Sequence, residues 1–72
     1  MHTPIPATPH LLRLPAVIEA TGCARSTIND AIRAGTFPKP VPLGGRTVAW
    51  SSNEIDAWIA GRIAERDAKA AA

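Results

Sequence analysis

A chain of 72 residues with 46% apolar side chains and a formal net charge of +2 makes one domain near the lower size limit for a single core, because so short a chain buries only about 60% of its unfolded surface. The single cysteine, Cys23, excludes an intramolecular disulfide and calls for no oxidising compartment, so the expected location is the cytoplasm. No apolar run approaches the roughly 18 residues of a bilayer span, and "MHTPIPATPH" lacks the basic start and apolar core of a signal peptide.

The charge is unevenly placed. Residues 1–50 carry five cations against two carboxylates, and residues 51–72 carry three against four. A basic front half favours a polyanionic partner.

Residues 1–10, with Pro4, Pro6 and Pro9 and little to bury, are expected to form a flexible arm. The folded domain is expected over 11–66. In "LRLPAVIEATG", Pro15 suits the first position of a helix, where its missing N–H costs nothing, and Gly22 suits the left-handed residue past the end. A first helix is predicted over Pro15–Thr21, with Leu14, Val17 and Ile18 buried. A second is predicted over Arg25–Ala34, stopped by Gly35, with Pro38 beyond to prevent resumption. Only Gly22, Cys23 and Ala24 separate them, Cys23 being read as a small packing residue. Two short helices on a tight turn have helix-turn-helix spacing, which ordinary helical hairpins share.

At about 100° per residue, Ile28, Ala31 and Ile32 fall on one side of the second helix, with Arg25, Ser26, Asn29, Asp30 and Arg33 on the opposite arc. Any surface helix has a polar face. Two arginines and an asparagine at i, i+4 and i+8 are, however, side chains able to address guanine and adenine edges in a major groove. Asp30 suits a phosphate-rich surface poorly; it either pairs with Arg33 or accepts from a cytosine amino group. The candidate contacts on this helix are Arg25, Ser26, Thr27, Asn29, Asp30 and Arg33.

"FPKPVPLGGRTVAW" has the marks of a hairpin: extended X-Pro dipeptides, a turn at Gly44-Gly45, then a strand from Thr47 to Trp50. Pro42 cannot donate to a ladder, so its strand must be an edge. Phe37, Val41, Val48 and Trp50 are expected to pack on the helices, leaving Gly44, Gly45 and Arg46 at the tip. A basic tip beside a helix-turn-helix is a wing suited to phosphate or minor-groove contact; a hairpin that only covers the core is the other reading. Lys39, Gly44, Gly45, Arg46 and Thr47 are the candidate contacts here.

"SSNEIDAWIAGRIAERDAKAAA" opens with Ser51 and Glu54 in capping-box spacing, and Trp50 and Ile55 stand where a hydrophobic staple would join them. Ile55, Trp58, Ile59 and Ile63 form a core stripe at helical spacing. A third helix is predicted from Ser52 to about Glu65, with the tail "RDAKAAA" either extending it by a turn or fraying over 67–72. The expected fold is mainly α with a small β-hairpin: a winged helix-turn-helix of three helices and a two-stranded wing.

Catalytic chemistry is not expected. His2 and His10 lie in the arm, and the serines already serve as a cap and a helix face, which leaves no nucleophile with a base and an orienting group. Cys23 with His2 and His10 does not make a structural zinc pattern. Gly44-Gly45 lacks the strand, helix and lysine of a phosphate-binding loop. No metal or cofactor is expected.

The run from Leu11 to Arg62 resembles the AlpA family of small prophage regulators, relatives of phage excisionases with a MerR-like winged fold. The resemblance is carried by Leu14-Pro15, Thr21-Gly22, "RSTI" at 25–28, "FPKPV" at 37–41, "LGGR" at 43–46, Trp50 and "EIDAWI" at 54–59. It implies that the helix bearing Arg25 to Arg33 enters the major groove and that the tip with Arg46 reaches the neighbouring backbone or minor groove. It further implies double-stranded DNA as partner, with a phage-type integrase and cooperative self-association on DNA as further partners, in a bacterial or phage-encoded protein. Such relatives act as transcription regulators or as excisionases that bend DNA and set the direction of recombination. Two positions depart from the family pattern: Ala24 stands where a serine often caps the second helix, and Asn29-Asp30 where an aromatic often follows "RSTI". The competing expectation from another class is a protein-interaction module using the same surface.

Overall fold

The computed structural model describes residues 10–71. The expected arm, save His10, therefore lies outside the described residues. Three helices and a small antiparallel sheet make up the fold, in the order β1 (Leu11–Leu12), α1 (Leu14–Thr21), α2 (Arg25–Ala34), β2 (Val41–Gly44), β3 (Thr47–Ser51) and α3 (Ser52–Ala71). This is the expected winged helix-turn-helix with one strand more.

Local chemistry sets the ends of the first two helices. Pro15 sits in the first turn of α1, and Gly22 closes the helix at φ 71°, its N–H donating to the Ile18 carbonyl. The Thr21 hydroxyl bonds back to the Val17 carbonyl at 2.8 Å and accepts the Cys23 N–H at 3.2 Å, which stiffens the turn. Helix α2 covers the predicted span. Its exit is a Schellman motif: Gly35 at φ 80° donates to Ile32 and the Thr36 N–H reaches the Ala31 carbonyl. At its start Ala24 provides no side-chain cap.

The sheet order is β1-β3-β2, so β3 is central and Pro42 lies on an edge strand as its missing donor requires. β1, which was not expected, pairs Leu11 with Ser51 and Leu12 with Trp50. The ladder continues past it: Ser52, only 6% exposed, donates its N–H to the His10 carbonyl at 2.8 Å and accepts the His10 N–H on its hydroxyl at 3.1 Å.

The wing differs from expectation by one residue. Gly44 is not part of the turn: it ends β2 opposite Thr47, and the two-residue loop is Gly45-Arg46. The pairing slips between Pro42 and Gly44, with Leu43 as the extra, exposed residue of a bulge. Gly45 has φ 56° and no non-glycine residue among the described residues has positive φ, the sign pattern of a Gly-X hairpin loop of type II′. Arg46 thereby shares the hairpin loop with Gly45.

The core is Val17, Ile28, Phe37, Ala49, Trp50 and Ile55, drawn from all three helices, the α2–β2 linker and β3. Trp50 and Ile55 share it as the staple predicts, and the Ser51 hydroxyl accepts the Glu54 N–H at 3.4 Å. Phe37 meets the edge of Trp58 with ring centroids 4.9 Å apart. Val48 is half-buried against the core, whereas Val41 is half-buried beside the Phe37–Trp58 pair.

Helix α3 corrects two expectations. It continues to Ala71 instead of ending near Glu65, so of the two readings of the tail the helix extends, and 67–71 is helical and not frayed. Alanine, arginine, glutamate and lysine are all good helix formers, and no glycine or proline follows Gly61 to stop the helix. The stripe also ends early: Ile55 is buried and Trp58 and Ile59 half-buried, but Ile63 is 47% exposed, because α3 has by then left the body of the fold. No described helix is long and apolar enough to cross a membrane.

Two glycines give opposite expectations. Gly61 lies inside α3 with open space where a Cβ would stand, so Gly61→Ala removes unfolded-chain freedom and stabilises by about 0.5–1 kcal/mol. For a domain of this size that is a rise in Tm of about 2–8 °C by circular dichroism; an unchanged or lower Tm would contradict it. Gly44 has equal space but φ 115°, so Gly44→Ala costs about 1–3 kcal/mol of backbone strain. The expected result is a lower Tm with amide shifts concentrated at 43–47.

Candidate nucleic-acid interface

The first turn of α2 and the hairpin tip, 21 residues apart in sequence, open onto one groove of about 400 Å³ lined by Arg13, Leu14, Pro15, Arg25, Asn29, Arg46, Val48 and Trp50. Arg25 and Asn29 enter it together because they are one helical turn apart on the exposed flank of α2. Arg46 arrives from the loop of the wing. The floor is apolar, with Trp50 buried and Leu14 and Val48 half-buried.

Electrostatically the groove is uniform. Three arginines line it and, among the described residues, no aspartate or glutamate does. Among the described residues, Arg13, Arg25 and Arg46 have no carboxylate within 4.0 Å, whereas Arg33, Arg62 and Arg66 each have one. Like charges gathered in this way repel one another, and an anionic occupant relieves that repulsion.

The other predicted contact residues divide. Ser26, Asp30 and Arg33 are exposed on the outer arc of α2 without lining the groove. Asp30 and Arg33 meet at 3.9 Å with most of both side chains in water, the first of the two alternatives left open for Asp30. Such a pair adds little to stability and remains free to rearrange. Gly44 and Thr47 frame the turn. Thr27 is not with them: it lines a separate hollow with Cys23, Ala31, Trp58 and Arg62. Lys39 likewise stands on another groove, beside Phe37, Val41, Glu54 and Trp58. Following Pro38 and preceding Pro40, it goes where the linker carries it.

Arg13 was read in the sequence only as part of the net charge. It is the residue on which α1 begins, with extended backbone (φ −79°, ψ 166°), and its side chain makes no capping bond. An arginine just before Leu14-Pro15, at the mouth of the first helix of a helix-turn-helix, is the signal that could have flagged it.

Known proteins give this geometry a context. The family model for the prophage CP4-57 regulatory protein (AlpA) matches residues 10–63, which takes in every strand, both helices of the helix-turn-helix and α3 as far as it stays with the body. An Escherichia coli (strain K12) protein named "DNA-binding transcriptional activator AlpA" is 47% identical over 58 residues, 72% of this chain and 83% of the relative. A protein of Enterobacteria phage P4, "Uncharacterized protein ORF88", is 46% identical over 74 residues, 89% of this chain and 84% of the relative. With its helix-turn-helix and wing inside the matched span, the chain belongs to the AlpA family of prophage regulatory proteins.

Proposed function

We propose that this protein is a sequence-specific DNA-binding regulator of a prophage or related mobile element, acting as a non-enzymatic factor. What carries the proposal is the convergence of Arg25 and Asn29 from α2 with Arg46 from the wing tip on one groove free of carboxylates. Helix α2, 10 residues long, spans about 15 Å and fits a major groove about 12 Å wide. Arginine reads guanine O6 and N7, and asparagine reads adenine N6 and N7. With α2 so placed, the wing tip meets the adjacent backbone or minor groove, where Arg46 finds phosphate. Ser26, Asp30 and Arg33 border the same approach, whereas Thr27 and Lys39 are assigned no part in it.

Between regulation of transcription and assistance to an integrase, the name of the 47% identical relative, a transcriptional activator, favours regulation. A body this small covers a short stretch of DNA, so occupation of adjacent sites by several copies belongs to the proposal.

The test uses the duplex that the wild-type protein enriches most strongly from a random-sequence pool, with single-base variants of it. Arg46→Ala is expected to weaken binding to all of them and to make the slope of log K against log salt shallower by about 1. Arg25→Ala and Asn29→Ala are expected to change the ranking of the variants, each altering discrimination at its base by about 1–3 kcal/mol. If all three retain wild-type affinity, ranking and salt slope, the surface is wrong and a protein-interaction role takes its place. A reporter driven by the selected site, in cells without an integrase, separates regulation from excision: an unchanged output would sink the regulator reading.

A further inference from the structure

We infer that Arg13 is a phosphate contact of this interface, joining Arg46 of the wing on the DNA backbone while Arg25 and Asn29 of α2 address the bases. The inference rests on the DNA-binding proposal and adds to it a residue and a division of labour. Arg13, Arg25 and Arg46 come from three separate parts of the chain: the residue before α1, the first turn of α2 and the wing loop. They line one groove, are exposed, and have no carboxylate partner among the described residues. The elements that carry them are fixed in the core through Val17, Ile28 and Trp50. The arginines are therefore held near one another in the free protein.

Position decides what Arg13 meets. In a helix-turn-helix the second helix lies in the major groove and the first crosses the backbone. Arg13 precedes the first turn of α1, whereas Arg25 and Asn29 stand on α2 itself. With α2 seated, Arg13 faces the phosphates at the edge of the groove and Arg25 faces base edges. Arg13 supplies affinity and register; it carries no sequence information.

Its side chain makes no capping bond, so replacing it should leave the fold intact, and equal thermal melts of the variants check this. The experiment compares Arg13→Gln and Arg13→Lys with wild type and Arg46→Ala, on the enriched duplex and its single-base variants, across salt. Arg13→Gln is expected to weaken every duplex by about tenfold without changing their ranking, and to make the salt slope shallower by about 1. Raising salt from about 50 to 200 mM then costs it about 3.5-fold less affinity than it costs wild type. Arg13→Lys, which keeps the charge but not the planar fork, is expected to retain the wild-type slope.

Three outcomes would overturn the assignment in different ways. Wild-type affinity and slope in Arg13→Gln, with Arg46→Ala weakened, removes Arg13 and leaves the DNA-binding proposal standing. A changed ranking in Arg13→Gln makes Arg13 a base-reading residue instead. Failure of the wild-type protein to enrich any duplex sinks both.

Discussion

The fold depends on the passage from β3 into α3, where strand becomes helix with no residue between them. Three consecutive residues hold it. Trp50 fills the core and its indole N–H reaches the Pro38 carbonyl at 3.1 Å; Ser51 caps the third residue of α3; Ser52 ties α3 to His10 and so extends the pairing of β1. A second indole completes the arrangement, because the Trp58 N–H donates to the Thr36 carbonyl at 2.8 Å. The linker out of α2 is therefore gripped at Thr36 and Pro38, with Phe37 buried between them. Helix α2 can stop abruptly because the chain that leaves it is held by both tryptophans. The same strand that carries Trp50 carries the wing, so the distance between α2 and Arg46 is set by the core and not by a free loop.

The fold sorts charge in a way that net charge conceals. With an excess of only two cations, a uniform mixture would show little preference for a polyanion. Arg33, Arg62 and Arg66 are instead paired along their own helices, and the carboxylates of α3 lie outside the groove that Arg13, Arg25 and Arg46 line. Polyanion affinity here is a matter of which cations are left uncompensated and where they meet. An engineered rise in net charge on distal α3 would not substitute for them, since exposed charges more than a Debye length of about 8–10 Å away are largely screened.

What could be read in advance was what is local. Pro15, Gly22 and Gly35 mark helix ends through their own backbone requirements, and α2 falls where they put it. Ser51 and Glu54 announce α3 because a cap is a contact between near neighbours. What escaped was non-local or degenerate. β1 is two residues long, too short to show a period, and exists only because β3 offers a free edge. Gly44 and Gly45 are equally able to turn, and the bulge at Leu43, which decides between them, is a property of the pairing. The site follows the same rule. Arg25 and Asn29 were legible as one helical face, but the entry of Arg13 and the departure of Thr27 and Lys39 depend on how α1 and the linker are placed by packing.

The end of the chain shows the converse, structure that owes nothing to the core. From residue 60 to residue 70 every side chain of α3 is exposed, and the pairs there, Arg62–Glu65 and Arg66–Asp67, are solvated. Such pairs contribute about 0.3–0.5 kcal/mol at best, so this part of α3 stands on intrinsic propensity. Arg62 above the Trp58 ring, 6.0 Å from its centroid, is its last link to the body. Gly61, the poorest helix former in α3, sits beside that link. The core residues and the arginine groove all precede it. The distal helix can therefore open without disturbing either, since its loss exposes no core side chain and moves no element that carries Arg13, Arg25, Asn29 or Arg46.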